Sequence, residues 1–229
     1  MKTVGIIGGL GPETTSKFYL ELIFSCKKIN QTSYPPILVN SVPLPFDIER
    51  YAIMEGVGEE KCLPYLLQAA KSLEQAGADF LVLPCNSLHL FIEDIRKIVK
   101  IPVISILEET SKFLKERKIK KVGVIGTSIT IRNRLYEKSL KQSGIKQILP
   151  NDFQQVQIAR LIYNLVSSRY DNNDQKVLIK VIGDFTKGKA EHIILACTDL
   201  QLLMPQHNKI KIYDTMKILA DATIKYILK

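Results

Sequence analysis

Two segments of this chain occur twice, in the same order and at nearly the same separation. Residues 4–9 (VGIIGG) match residues 122–127 (VGVIGT), 118 positions later. Residues 80–87 (FLVLPCNS) match residues 193–198 (IILACT), with their cysteines aligned 112 positions apart. Two offsets that differ by six residues indicate two copies of one structural unit.

Short apolar strands alternate with helical patterns along both copies. Strands are predicted over 3–7, 37–42, 79–83, 101–105, 121–125, 192–196 and 211–213, and the helices between them include 132–143 and 175–188. This alternation is typical of parallel sheets covered by helices on both faces. The sequence therefore predicts an α/β fold of two similar domains, each a parallel sheet flanked by helices, related by pseudo-two-fold symmetry. We place the N-terminal domain at 1–106 and the C-terminal domain at 107–213, and expect the last helix, 214–229, to join the first domain.

Composition and charge exclude several classes of protein. The 229 residues are 46% hydrophobic, which is enough to bury a core and argues against intrinsic disorder. No apolar run could span a bilayer, and the start does not read as a signal peptide. The net charge is +9, but the lysines are scattered, so a nucleic-acid partner is not expected. We expect a soluble cytoplasmic protein without a membrane or nucleic-acid partner, whose basic charge suits a small acidic ligand.

The four cysteines and three histidines form no metal or disulfide pattern. No CxxC pair is present, and the histidines at 89, 192 and 207 are dispersed, so neither a metal site nor a disulfide framework is expected. Cys26 and Cys62 lie within helical patterns and have no counterpart in the other copy. We interpret these two as structural.

Cys85 and Cys197 each lie in a turn between a buried strand and a helix. Ligands of open α/β sheets bind outside the carboxyl ends of the strands, and a helix N-terminus there lowers the pKa of a thiol. If the copies face each other, the two thiols flank one cleft. One can then remove a proton from Cα while the other donates a proton to the opposite face. We predict Cys85 and Cys197 as the catalytic pair.

Proton removal at Cα also needs donors around the substrate carboxylate. The glycine-rich turns after the first strand of each copy and the two cysteine turns provide such groups. The candidate substrate-binding residues there are Leu10, Asn86, Ser87, Thr127 and Thr198.

Three motifs resemble a known family. Residues 8–15 (GGLGPETT), 84–89 (PCNSLH) and 196–200 (ACTDL) resemble, in order and spacing, the motifs of the aspartate/glutamate racemase superfamily, the first looking most like the aspartate racemase branch. The resemblance implies two similar domains with the active site between them, usually in a homodimer. It implies a PLP-independent isomerase with no cofactor and no metal that racemises a dicarboxylic amino acid, aspartate or glutamate. It also maps the catalytic cysteines to Cys85 and Cys197, and the carboxylate donors to Asn86, Ser87 and Thr198.

The departures from the family concern the substrate side chain. Ser87 stands where the family usually has Thr, and Asp199 stands where it often has Glu. Arg50 is the candidate for the side-chain carboxylate, although the neighbouring prolines leave its register open. A lysine expected one turn after Tyr163 is replaced by Ser167, which leaves aspartate, glutamate and broader specificity open.

Several alternative functions remain open at this point. A Rossmann oxidoreductase is disfavoured because the first turn lacks GxGxxG spacing. Cys85 and His89, four residues apart, could form a nucleophile and base of a hydrolase. Within the superfamily, a maleate isomerase or an arylmalonate-type decarboxylase also uses cysteines. A protein that binds a small acid without turnover is the remaining class.

Overall fold

Each half of the chain forms one four-stranded parallel sheet with helices on both faces. The structure is a computed structural model, and it describes residues 1–185, 190–203 and 207–229. The first half contains β1 (Val4–Gly8), α1 (Pro12–Ile29), β2 (Ile37–Ser41), α2 (Phe46–Met54), a 3-10 helix (Glu59–Cys62), α3 (Leu63–Gln75), β3 (Phe80–Val82), a 3-10 helix (Ser87–Phe91), α4 (Ile92–Ile98) and β4 (Val103–Ile104).

The second half also alternates strands with helices. It contains α5 (Ile106–Glu116), β5 (Lys121–Gly126), α6 (Ser128–Arg132), α7 (Glu137–Gln142), β6 (Lys146–Ile148), α8 (Asp152–Val166), α9 (Asn172–Phe185), β7 (His192–Ala196), a 3-10 helix (Thr198–Leu202), β8 (Lys211–Asp214) and α10 (Thr215–Ile227). The predicted α/β class with two similar parallel sheets is confirmed.

The strand order and register reproduce the sequence duplication. The sheets run β2-β1-β3-β4 and β6-β5-β7-β8. Gly5 pairs with Leu81 in the first sheet, and Gly123 pairs with Ile193 in the second, which are equivalent positions under the two sequence offsets. A Cβ on Gly5 would lie 2.6 Å from Leu81 Cδ2, and one on Gly123 would lie 2.6 Å from Phe185 Cδ1. Both copies therefore need glycine at this position for the same steric reason.

Three hydrophobic cores hold the sheets and helices together. Alternate residues of a strand point to opposite faces, so Val4 and Ile6 of β1 enter one core while Ile7 enters another. The core that contains Val4 lies between the two sheets and also holds Val122 and Val124 of β5. It is filled by α1, α5 and α10, and α10 packs against both of the other helices. We call it the middle core.

The middle core bears on the predicted division into domains. Lys217 of α10 contacts Glu21 of α1, while Thr215 of the same helix donates a hydrogen bond to Leu195 O of β7. The last helix thus contacts both halves. The boundary between residues 106 and 107, and the assignment of 214–229 to the first domain, stay predictions.

Capping side chains determine where several helices begin. Ser105 Oγ accepts hydrogen bonds from the N–H groups of Leu107 and Glu108 at the start of α5. Asn151 and Gln154 form a reciprocal capping box at the start of α8. Such caps satisfy backbone donors that have no partner within the helix.

The structure corrects some predicted elements. The single helix predicted over 132–143 is wrong, because the chain turns between α6 and α7 with Arg134 at a φ of 47°. Neither α2 nor β6 was expected: α2 follows immediately on the proline-rich segment, and β6 is a three-residue edge strand with no buried residue. The helix predicted over 175–188 is described as α9 from Asn172 to Phe185, and residues 186–188 lie outside the described residues. Within the described ranges, no helix combines the length and apolar character needed to cross a membrane.

The middle core makes a testable prediction. Leu219→Ala empties space around a side chain with no exposed surface, and we expect it to lower the free energy of unfolding by about 2–5 kcal/mol. Leu20→Ala on α1, where the side chain is 46% exposed, should change it by about 0.5 kcal/mol or less. Urea unfolding followed by circular dichroism measures both variants.

Hydrogen exchange read by mass spectrometry tests whether the core is shared. In Leu219→Ala, amide protection should fall in strands of both sheets. A loss confined to one sheet would contradict a common core.

Candidate active site

A cleft lies between the two halves and is lined by side chains from both. Its cavity volume is about 70 Å³, which is smaller than that of a typical small-molecule site. The thiol, hydroxyl and amide groups of both cysteine turns and of the turn after β5 line it: Cys85, Asn86, Ser87, Thr127, Cys197 and Thr198. Leu10, in the turn after β1, lines it as well. The structure thus brings all but one of the predicted site residues to one cavity.

Cys85 follows β3 and keeps part of its surface exposed to the cleft. Burial raises the pKa of its thiol to about 12, against the lowering effect of the Leu88 and Ser87 backbone N–H groups. The carboxylate of Asp199 raises this pKa further. The groups at the helix terminus thus act in the predicted direction, but the predicted net lowering of the thiol pKa is wrong, because desolvation of a thiolate outweighs the backbone dipoles.

Cys197 follows β7 and is 6% exposed. Its Sγ lies 3.6 Å from Asp199 Oδ2, to which it donates a hydrogen bond. Burial and then the Asp199 charge raise the pKa of Cys197 well above its ordinary value. Burial also raises the pKa of Asp199, although the hydrogen bond that Thr14 Oγ1 donates to Oδ1 at 2.7 Å works in the other direction. A carboxylate with raised proton affinity thus adjoins one thiol.

Hydroxyl groups from the two halves meet on the wall of the cleft. Ser87 Oγ lies 2.7 Å from Thr127 Oγ1, which in turn lies 3.1 Å from Thr130 Oγ1. Thr127 also caps α6 by accepting from the N–H of Thr130. Hydroxyls can donate or accept, so this cluster can offer donors to a bound carboxylate.

Asn86 is held in a hydrogen-bonded network that joins the two halves. Its Oδ1 accepts from Tyr136 OH at 2.5 Å, and its Nδ2 donates to Thr215 Oγ1 at 3.1 Å. Thr215 Oγ1 in turn donates a hydrogen bond to Leu195 O at 2.8 Å. The amide of Asn86 carries two N–H groups, so one of them remains for a ligand in the cleft.

His89 holds the backbone of the Cys85 turn. Ile106 N–H donates to His89 Nε2 at 3.0 Å, so the proton is on Nδ1, which donates to Cys85 O at 2.6 Å. Burial lowers the pKa of His89 to about 4, which keeps the ring neutral. Both ring nitrogens are engaged with backbone groups. His89 is therefore a positioning residue, and the nucleophile and base pair of a hydrolase finds no support.

Arg50 is the predicted site residue that the structure does not bring to the cleft. Its side chain is exposed, and its guanidinium carbon lies 5.1 Å from the centre of the Tyr51 ring. Successive residues of a helix are rotated by about 100°, and in α2 it is Glu49, the preceding residue, that lines the cleft. Ser167, where the family lysine is missing, follows the last residue of α8, and α8 presents Ile162 and Val166 to the cleft.

The two cysteines interpreted as structural differ in their positions. Cys26 of α1 is buried in the middle core. Cys62 is also buried, at 1% exposure, yet it lines the cleft, and burial followed by Glu59 raises its pKa to about 11. Over the described residues, no group of three or more His, Cys, Asp or Glu is arranged to hold a metal ion.

Comparison with known proteins agrees with this arrangement. A sequence model of the Asp/Glu/Hydantoin racemase family matches residues 7–223. The chain belongs to this family. The racemase superfamily predicted from the three motifs is thereby confirmed.

Individual members of the Asp/Glu/Hydantoin racemase family match over nearly the whole chain. The broad specificity amino-acid racemase RacX of Bacillus subtilis is 31% identical over 98% of both chains. An aspartate racemase homologue from Pyrococcus horikoshii superposes with a TM-score of 0.80 at 26% identity, covering 100% of both chains. The aspartate racemase of Picrophilus torridus has the same fold, with a TM-score of 0.79 at 24% identity over 100% of this chain and 95% of its own.

Three ionisable residues that line this family member's cleft were not among the predicted site residues. Asp199 lies in the third motif, two residues after Cys197, and this position was the signal that could have placed it in the site. Glu49 and Cys62 belong to no motif. Only the packing of α2 and of the following 3-10 helix against the cleft reveals them.

The buried neutral histidine makes the stability depend on pH. In the unfolded chain His89 titrates near 6.5, whereas in the folded chain its pKa is about 4. Between these values the unfolded state binds the additional proton. The contribution is on the order of 3 kcal/mol, and it should be lost as the pH falls from about 7 to about 4.

Urea unfolding at several pH values measures this contribution. His89→Gln keeps one donor and one acceptor but does not titrate, so its free energy of unfolding should fall less steeply across this range. Equal slopes for the wild type and the variant would show that His89 is not held neutral.

Proposed function

We propose that this protein is a cofactor-independent amino-acid racemase that inverts Cα by proton transfer between Cys85 and Cys197. The observation that carries the proposal is that the two cysteines of the duplicated turns line one cleft, together with hydroxyl and amide donors. Membership of the Asp/Glu/Hydantoin racemase family and the match to a broad specificity amino-acid racemase support it.

The polar wall of the cleft provides the binding site for the substrate α-carboxylate in this proposal. The Ser87 and Thr127 hydroxyls, 2.7 Å apart, and the remaining N–H of Asn86 are suitable donors, and Thr198 adds a further hydroxyl on the side of Cys197. Donors at the carboxylate stabilise the charge that spreads onto it when the α-proton leaves. The networks that hold these groups keep them in place before the substrate arrives.

In this proposal the proton movements begin with the ionisation of one thiol. Burial raises the pKa of both thiols, so one must lose its proton before it can act as a base. Asp199, 3.6 Å from Cys197 Sγ and with a raised pKa of its own, can take that proton. The Cys197 thiolate then removes the α-proton from one face, and the Cys85 thiol donates its proton to the opposite face. Cys85 is left as the thiolate, ready for the reverse reaction.

The residues around the cleft do not offer the usual attachment for PLP. PLP enzymes hold the cofactor as a Schiff base with a lysine. Within the part of the chain that the structure describes, no lysine lines the cleft. The proposed chemistry relies on the protein's own thiols.

The proposal includes a cytoplasmic location and assembly as a homodimer. A dicarboxylic amino acid is the substrate that the family resemblance implies, and other side chains are candidates too because the match includes a broad specificity amino-acid racemase. An assay panel of L-amino acids followed by chiral chromatography tests the substrate. Maleate and an arylmalonate in the same panel test the related isomerase and decarboxylase chemistries.

Removal of either thiol should stop racemisation. We expect Cys85→Ser and Cys197→Ser each to lower the turnover of both enantiomers by at least about a hundredfold, because a serine hydroxyl is a far weaker acid than a thiol. Cys26→Ala, which changes a cysteine of the middle core, should retain turnover once its folding is verified by circular dichroism.

Solvent isotope incorporation provides the control on mechanism. In deuterated water the product enantiomer should carry deuterium at Cα. A cysteine variant that retains near-full turnover, or a product without solvent deuterium, would rule out the two-thiol mechanism.

A further inference from the structure

Carboxylates are the only charged groups on the described wall of the cleft. Glu49 and Asp199 both line it. A Cβ on Gly11 would lie 3.6 Å from Asp199 Oδ1 and 3.9 Å from Glu13 Oε2, so a third carboxylate approaches the same spot. Burial, and then the charges of Asp199 and Glu13, raise the pKa of Glu49.

No basic side chain balances these charges among the described residues that line the cleft. Arg50 is exposed and lies beside Tyr51. Arg132, one turn after Ile129 of the cleft wall, is paired with Glu59 at 2.9 Å. Asp199 is hydrogen-bonded to Thr14 and Cys197, whereas the Glu49 carboxylate makes no hydrogen bond or ion pair with any residue that the structure describes.

Apolar side chains line the cleft where Glu49 lies. Glu49 and Ala52 are three residues apart on one face of α2. Ile162 and Val166 lie four apart on α8, and α2 packs directly against α8. Leu44, just before α2, adds to this wall. This part of the wall offers apolar contacts to an aliphatic chain, and the Glu49 carboxylate is available to meet a charge at its end.

We propose that the cleft selects amino acids with a cationic side chain, lysine and ornithine foremost, and that Glu49 recognises the side-chain cation. The inference rests on the racemase function proposed above and gives its substrate class. The methylene groups of such a side chain pack against the apolar residues of α2 and α8, and the terminal ammonium pairs with Glu49. Aspartate or glutamate would instead place a second carboxylate beside Glu49 and Asp199.

Steady-state racemisation of L-lysine, L-ornithine, L-norleucine and L-glutamate tests this proposal. Norleucine resembles lysine in shape but lacks the charge. The wild type should give a higher kcat/KM for lysine and ornithine than for norleucine, and the lowest value for glutamate. Glu49→Gln should lower kcat/KM for lysine by at least about tenfold, the size of one charge-assisted hydrogen bond, and leave norleucine within about twofold.

Two further variants sharpen the comparison. Asp47→Asn removes a carboxylate that is exposed on the same helix, and it should leave the ratio of lysine to norleucine unchanged. Glu49→Lys places a cation on the cleft wall, and it should reverse the preference so that glutamate is racemised faster than lysine. Circular dichroism verifies that each variant is folded.

The outcomes separate this inference from the proposed function. If the wild type prefers glutamate to lysine, or if Glu49→Gln leaves the ratio of lysine to norleucine unchanged, the cationic specificity is wrong while the racemase stands. If no amino acid of the panel is racemised or exchanges its α-proton with solvent, the racemase proposal fails and the specificity fails with it.

Discussion

The middle core, in which the two sheets pack against α1, α5 and α10, is the interaction on which the rest of the structure depends. It fixes the position of one sheet relative to the other. The carboxyl ends of β3 and β7 therefore face a common cleft, and the turns that follow them deliver Cys85 and Cys197. A single apolar core thus sets the position of both thiols. The hydrogen bonds of Asn86 with Tyr136 and Thr215 then fix the orientation of the Asn86 amide beside them.

Burial gives the cleft its chemical character. It raises the pKa of Cys85, Cys197 and Asp199 together. Burial therefore favours the protonated form of both thiols over the thiolate. A substrate brings an ammonium group into this environment, and a positive charge near a thiol favours its ionised form. The reactive state of the protein in our proposal is therefore created by the substrate.

The duplication and the three motifs predicted the two sheets, the family and most of the polar and thiol side chains on the cleft wall from sequence alone. Strand periodicity and motif spacing are local properties, and they place Asn86 or Thr198 in a turn without knowledge of the whole fold. The thiol pKa could not be predicted this way, because desolvation depends on every element that covers the cleft. Whether Arg50 or Glu49 lines the cleft depends on where α2 begins and how it packs against α8. The proline-rich segment before α2 prevents both from being predicted from the sequence.

A shared interior also constrains how small molecules reach the cleft. Swinging the two sheets apart would expose the apolar side chains of the middle core to water, a large free-energy cost. Ligand entry and exit therefore depend on movements smaller than a separation of the sheets. Both α2 and α8 line the cleft and pack against each other, and α2 is flanked by Pro45 and by Gly56, which has a φ of 64°. A displacement of α2 would move Glu49 with it, so access to the cleft and selection of the ligand would depend on the same helix.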